Sequence, residues 1–264
     1  MQVALSIAGS DPAGAAGLQA DLQVFRSLGV HGTGVITALT VQDTGRIVRV
    51  LPVFPSVVLE QLRVLLDDLP PDAIKIGALA SDDVVRNVEL ALSQWSPPDG
   101  KPIPIVIDPV LAASDGTPLL ERRAWSALQA LISRATLVTP NLEEAAALTD
   151  CDCSTEEGTQ AAACAFVSEL GADASLVKGG QGDGPPRDLL AVREGGTVSL
   201  RWLDGEQSGE VPSGGTGCAL SSAIAAHLAL GTALEPAVEA GRRFVADALR
   251  NTKTQGHRTR LLTY

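Results

Sequence analysis

Five apolar stretches of this chain end on residues whose side chains could do chemistry. Residues 3–8 lead into Gly9, Ser10 and Asp11, 73–76 into Gly77, 103–107 into Asp108 and Pro109, 136–139 into Pro140 and Asn141, and 174–177 into Lys178, Gly179 and Gly180. Taken singly these are ordinary turns, because glycine, proline, asparagine and aspartate punctuate loops for backbone reasons. Taken together, two carboxylates, an amide, an ammonium and several glycines suit a metal-bound polyphosphate. Mg²⁺ prefers oxygen ligands and keeps several of its waters, so one or two protein carboxylates suffice.

A second group runs from Pro212 through Gly215, Thr216, Gly217 and Cys218 to Ser222, at the start of an Ala/Leu-rich segment. Glycines at a helix entry leave amides uncovered and the helix dipole favours an anion, so Gly215, Thr216 and Gly217 are a candidate hole for a developing phosphoryl charge. They equally suit a plain structural entry, and no Lys-Ser or Lys-Thr pair follows them as a P-loop requires. Cys218 falls in the first turn, where amide dipoles are expected to lower its pKa and leave a poised base; the plainer role is a small buried residue. Assisting the loss of an alcohol proton is an adequate task for it, since phosphoryl transfer needs mostly positioning and charge stabilisation. The remaining cysteines, Cys151, Cys153 and Cys164, lack the spacing of a zinc site.

Asp21 lies on the margin of a helical stripe formed by Leu18, Leu22, Phe25 and Leu28. A carboxylate there either satisfies nearby donors or faces a ligand that carries them. Gln42, just past residues 33–40, presents donor and acceptor together, as an aminopyrimidine edge would require.

A sheet must carry these side chains. Apolar or β-branched runs at 3–8, 33–40, 73–76, 103–107, 136–139 and 174–177 alternate with segments of helical period. That order predicts a doubly wound, mostly parallel α/β sheet covered on both faces, with ligands beyond the carboxyl ends of its strands. Residues 189–193 and 198–202, joined through Gly195 and Gly196, predict an antiparallel hairpin on one edge, and helices are expected near 216–229 and 236–250. With 264 residues, 45% of them apolar, and a mean hydropathy of +0.18, a single domain over 1–264 is expected. The net charge of -11 and the lack of any Lys/Arg cluster argue against nucleic acid or anionic lipid as a partner. Without a basic signal-peptide flank or a run long enough to span a bilayer, the expectation is a cytoplasmic protein.

Seven ordered blocks then resemble one family: 9–12 with 16–22, 36–42, 108–110, 139–145, 176–180 and 215–218 with its Ser-rich continuation. They resemble the hydroxymethylpyrimidine/phosphomethylpyrimidine kinases of thiamine biosynthesis, within the ribokinase superfamily. The resemblance implies a three-layer α/β/α fold, a homodimer, and two successive ATP-dependent phosphorylations, of the hydroxymethyl group and then of the monophosphate. By position it assigns the pyrimidine to Asp21, Gln42 and the Gly9 backbone, Mg²⁺ to Asp108 and Glu144 through waters, and the nucleotide phosphates to Asn141 and Lys178. Gly215, Thr216 and Gly217 become the anion hole and Cys218 the base. The chain departs from the family pattern at Ala13, Ala15, Ala78, Gln181 and Gly214. A pyridoxal-type kinase and a catalytically quiet pyrimidine sensor are the competing readings.

Overall fold

The computed structural model describes residues 1–179, 187–205, 214–255 and 259–263. In chain order its elements are β1 (Val3–Ser10), α1 (Gly17–Ser27), β2 (His31–Gln42), β3 (Ile47–Pro52), α2 (Pro55–Asp68), β4 (Ala73–Ile76), α3 (Asp82–Gln94), β5 (Ile105–Ile107), α4 (Trp125–Ile132), β6 (Leu137–Val138), α5 (Leu142–Thr149), α6 (Glu156–Ser168), β7 (Ala174–Val177), β8 (Arg187–Glu194), β9 (Thr197–Asp204), α7 (Thr216–Ala229), α8 (Leu234–Arg250), β10 (Lys253–Gln255) and β11 (Thr259–Leu261).

β1 to β9 form one sheet in the order β3-β2-β1-β4-β5-β6-β7-β8-β9. The six predicted strands are its parallel centre. The predicted hairpin, β8 and β9, lies antiparallel along β7. The opposite edge differs from expectation: β3 pairs antiparallel with β2, so both edges are extended rather than one. No residue of β3 is fully buried, and without a buried face the strand carries no apolar alternation to read.

Alternation along the central strands divides the core between two faces. Leu5, Ile7, Ile74, Ile76, Ile107 and Val138 pack under α2 to α6. Ala4, Ala73, Val106 and Leu137 pack under α1, α7 and α8, against Phe25, Ile224 and Val238. The register aligns Ile7, Ile76, Ile107 and Val138 across four strands. The residues one step further on therefore form a second row at the carboxyl edge, and period two turns Asp108 and Thr139 toward the layer that contains α7. Lys178, which follows the buried Val177 and bridges in parallel to Asn141, joins that row. Ser6 and Lys75 pair in register one residue before Ile7 and Ile76, and the same parity turns both toward the α7 layer.

Candidate active site

The first turn of α7 faces this row. Gly215 stands at the N-cap with φ 87°, and no side chain caps the helix. A Cβ at Gly215 would sit 2.1 Å from the Ala15 carbonyl, so only glycine allows the α7 entry and the 11–17 loop to meet here. A Cβ at Gly217 would sit 3.1 Å from Lys178 Nζ and 3.5 Å from Asp108 Oδ2, which puts ammonium and carboxylate directly against the helix entry. Lys178 Nζ donates to Asp108 Oδ1 at 2.9 Å and Thr139 Oγ1 donates to the same oxygen at 3.2 Å. Burial opposes the Lys178 charge, but Asp108 and Glu144 outweigh it and hold the ammonium above its ordinary range.

Asn141 and Glu144 share a second role that the spacing N-x-x-E announces. Asn141 Oδ1 accepts the Glu144 amide at 2.8 Å and Glu144 Oε2 accepts the Asn141 amide at 2.9 Å, a reciprocal cap at the start of α5. The cap fixes both side chains at the edge and leaves Asn141 Nδ2 without a described hydrogen-bond partner. Burial is the main cause that lifts the Glu144 carboxyl to about 7; Asp108 adds to the rise and Lys178 opposes it.

Cys218 overturns one expectation. A thiol in a helix first turn is expected below the usual range, yet burial pushes this one up to about 11. Lys75 acts downward, while Asp21 and Asp108 act upward. Desolvation of the thiolate at this half-buried position exceeds what the dipole and one nearby ammonium return.

Asp21 also needs correction as a substrate contact. Its side chain has 0% exposure and is taken up within the protein: Lys75 Nζ lies 2.8 Å from Oδ2 and 3.0 Å from Oδ1, Ser6 Oγ donates at 2.6 Å and Ser222 Oγ at 2.7 Å. A carboxylate so enclosed has no surface to offer a ligand. Sequence reading passes over Lys75, though a signal exists: an ammonium in the middle of a four-residue buried strand demands a buried counter-ion.

Gln42 ends β2 half-buried, and its carboxamide has no hydrogen-bond partner among the described residues. Gly9 lies in a bulge where the β1–β2 register shifts, and a Cβ there would be 3.8 Å from both Ala38 and Ala78. Gly9, Ala38 and Ala78 thus form one small-residue wall. The adjoining loop is tied by Asp11, whose carboxylate accepts the amides of Ala13, Ala15 and Ala16 at 2.8, 3.0 and 2.9 Å. Neither Ala13 nor Ala15 has a positive φ, so alanine fits at both departures. Gly214 faces Ser114, and Gln181 lies outside the described residues.

With this geometry in view, a sequence model described as Phosphomethylpyrimidine kinase matches residues 11–262. The chain belongs to the phosphomethylpyrimidine kinase family. It is 34% identical over 258 residues to the hydroxymethylpyrimidine/phosphomethylpyrimidine kinase of Staphylococcus aureus strain MRSA252, covering 97% of this chain and 90% of that protein. A phosphomethylpyrimidine kinase structure from Clostridium difficile superposes with a TM-score of 0.80 at 31% identity, covering 94% of this chain and 100% of that one. The ADP complex of Bacillus subtilis pyridoxal kinase superposes with a TM-score of 0.85 at 28% identity, covering 99% and 96%. The fold is the ribokinase-like three-layer α/β/α arrangement, and membership of a kinase family implies ATP use.

In this family member the fit to Mg²⁺ rests on the donor set. Asp108 and Glu144 are hard oxygen donors whose mutual repulsion a cation would relieve, and Asp108 accepts both of its described hydrogen bonds on Oδ1, leaving Oδ2. Among the described residues no group of three metal-ligating side chains gathers. Two carboxylates suit an ion that retains waters and phosphate oxygens rather than a protein cage.

The raised carboxyl of Glu144 makes a prediction in the metal-free protein. Its folded pKa, about 7, lies above the ordinary 4.5, so its neutral form favours the folded state and that benefit is lost as pH rises through 7. Between pH 5 and 8 the unfolding free energy is expected to fall by about 2–3 kcal/mol more in the parent than in Glu144→Gln. Urea titrations at both pH values measure the difference; parallel losses would show that Glu144 is not the strained group.

Proposed function

We propose that the protein transfers the γ-phosphoryl group of ATP to 4-amino-5-hydroxymethyl-2-methylpyrimidine, and then to the resulting monophosphate, as part of thiamine diphosphate synthesis. The observation that carries this reading is the meeting of Lys178 Nζ and Asp108 with Gly217 at the uncapped entry of α7. Such a junction suits a phosphoryl group whose negative charge grows during transfer.

In this reading Gln42 reads the amino edge of the pyrimidine, and Gly9 with Ala38 and Ala78 forms the wall against its ring. Asn141 Nδ2 and Lys178 hold nucleotide phosphates. The amides of Gly215, Thr216 and Gly217 receive the charge of the transferring group, and Cys218 accepts the alcohol proton. When bound through waters at Asp108 and Glu144, Mg²⁺ supplies charge neutralisation for the phosphates. The chain acts as a single domain over 1–264 and as a homodimer. Exposed apolar residues on one edge support the latter: Leu39 at 49%, Val48 at 62% and Leu51 at 39% on β2 and β3, with Phe54 at 79% beside them. Among the described residues no helix is long and apolar enough to cross a membrane, and we place the protein in the cytoplasm as part of this proposal.

A second reading, phosphorylation of pyridoxal, is favoured by the match to the Bacillus subtilis enzyme and by Ala78 in the ring wall. Incubation with each alcohol, ATP and Mg²⁺, followed by product masses, decides between them. One and then two phosphoryl additions to the pyrimidine are expected, with a kcat/KM well above that for pyridoxal. Preference for pyridoxal, or no turnover of either pyrimidine, would overturn the reading.

A further inference from the structure

A buried hydrogen bond joins α1 to α7 one turn beyond Cys218. Four residues beyond Cys218 on α7, Ser222 Oγ donates to Asp21 Oδ1 of α1 at 2.7 Å. Four residues is little more than one turn, so Cys218 and Ser222 lie on the same side of α7. Beneath this contact the sheet supplies Ser6 Oγ and Lys75 Nζ, and all four side chains of this cluster are fully buried. Lys75 also bends along its strand toward the ligand edge, since a Cβ at Gly77 would stand 2.8 Å from Nζ. Phosphoryl transfer as described uses none of these groups. An isolated buried ion pair is weak evidence for stability, because well-packed apolar residues do as well, so its bond to Ser222, one turn beyond the thiol, calls for another explanation.

We propose that Lys75, Asp21 and Ser222 are positioning residues for Cys218: they lock the α1–α7 register that aims the sulfur and set a fixed ammonium on its buried side. The charges that act on the sulfur come from several elements: Lys75 from β4, Asp21 from α1, Asp108 after β5 and Lys178 after β7. Lys75 is the strongest of the charges that favour the thiolate, and Asp21 opposes it. The two halves of the ion pair therefore act on Cys218 with opposite sign.

The test reads the sulfur directly. Iodoacetamide alkylation, followed peptide by peptide by mass spectrometry to separate Cys218 from Cys151, Cys153 and Cys164, reports thiolate fraction without turnover. At pH 8.5 Lys75→Met is expected to slow Cys218 alkylation about tenfold and Asp21→Asn to speed it several-fold, one pKa unit being a factor of ten. Gly77→Ala, which crowds Nζ without removing a charge, is expected to shift the alkylation profile by about threefold at that pH. Should either charge variant fail to fold, Gly77→Ala and the isosteric double variant Lys75→Met/Asp21→Asn decide, the double variant being expected to slow alkylation. Profiles within twofold of the parent in the folded variants, or shifts of the same sign for Lys75→Met and Asp21→Asn, would overturn the proposal. The role of Cys218 in catalysis rests on the proposed function, whereas these alkylation rates stand even if no substrate is turned over.

Discussion

Replacing Cys218 by alanine is expected to lower kcat by about 100-fold or more and to leave KM for ATP within about twofold. The sulfur lies in the first turn of α7, next to the glycine that meets Lys178 and Asp108, while Asn141 at the start of α5 contacts the nucleotide in the proposed arrangement. Loss of the sulfur therefore removes a group that acts on the acceptor alcohol and leaves ATP binding intact. Because burial pushes the thiol up to about 11, it is protonated at neutral pH. The thiolate fraction then grows with pH, and kcat/KM in the parent is expected to rise by nearly tenfold per unit from about pH 6.5 to 9. Steady-state kinetics over that range, with circular dichroism to confirm folding, checks both parts. A near-normal kcat in Cys218→Ala would remove the sulfur from proton transfer, whatever the pH profile.

The second large effect is expected at Lys178. Lys178→Met removes the cation beside the α7 entry and should lower kcat by about 10²–10³-fold, the range seen when a single charge-stabilising donor is lost from a transferring group. Folding should survive, because the side chain keeps 17% exposure and Asp108 retains its bond from Thr139. Asp108 and Glu144 would then face each other without a counter-charge, so the variant should depend more steeply on Mg²⁺ concentration. Arginine is not expected to rescue it: its planar fork is bulkier than an ammonium, and Gly217 lies in its way. Single-turnover measurements at saturating ATP, repeated across Mg²⁺ concentrations, test this. A kcat within threefold of the parent would place the phosphoryl group elsewhere.

The surroundings of these two residues are unequally legible in the amino-acid sequence. Asp108, Asn141 and Lys178 each follow an apolar run, and in a parallel sheet that alone puts them on one edge. Period two goes further, since Ile107 and Val177 face α2 to α6 and the next residue must turn toward α7. Gly215 is legible as a helix entry, though its contact with the Ala15 carbonyl is not. β3 escapes notice because an edge strand with no buried face leaves no alternation. Asp21 is correctly placed on a buried stripe and then given the wrong partner, since helical spacing says where a carboxylate points and nothing about what lies opposite.

The chain's own pattern thus determined the order of strands and helices, the edge on which chemistry collects and the residue types present there, because backbone periodicity is a local property. Only the tertiary structure decided the electrostatics. Ser222 reaches Asp21 across 201 positions and Lys75 reaches it across 54, and together they turn an expected ligand contact into a sealed ion pair. The same packing carried the Cys218 thiol upward when its helix position argued downward, since desolvation depends on atoms gathered from every layer and no stretch of sequence contains that sum.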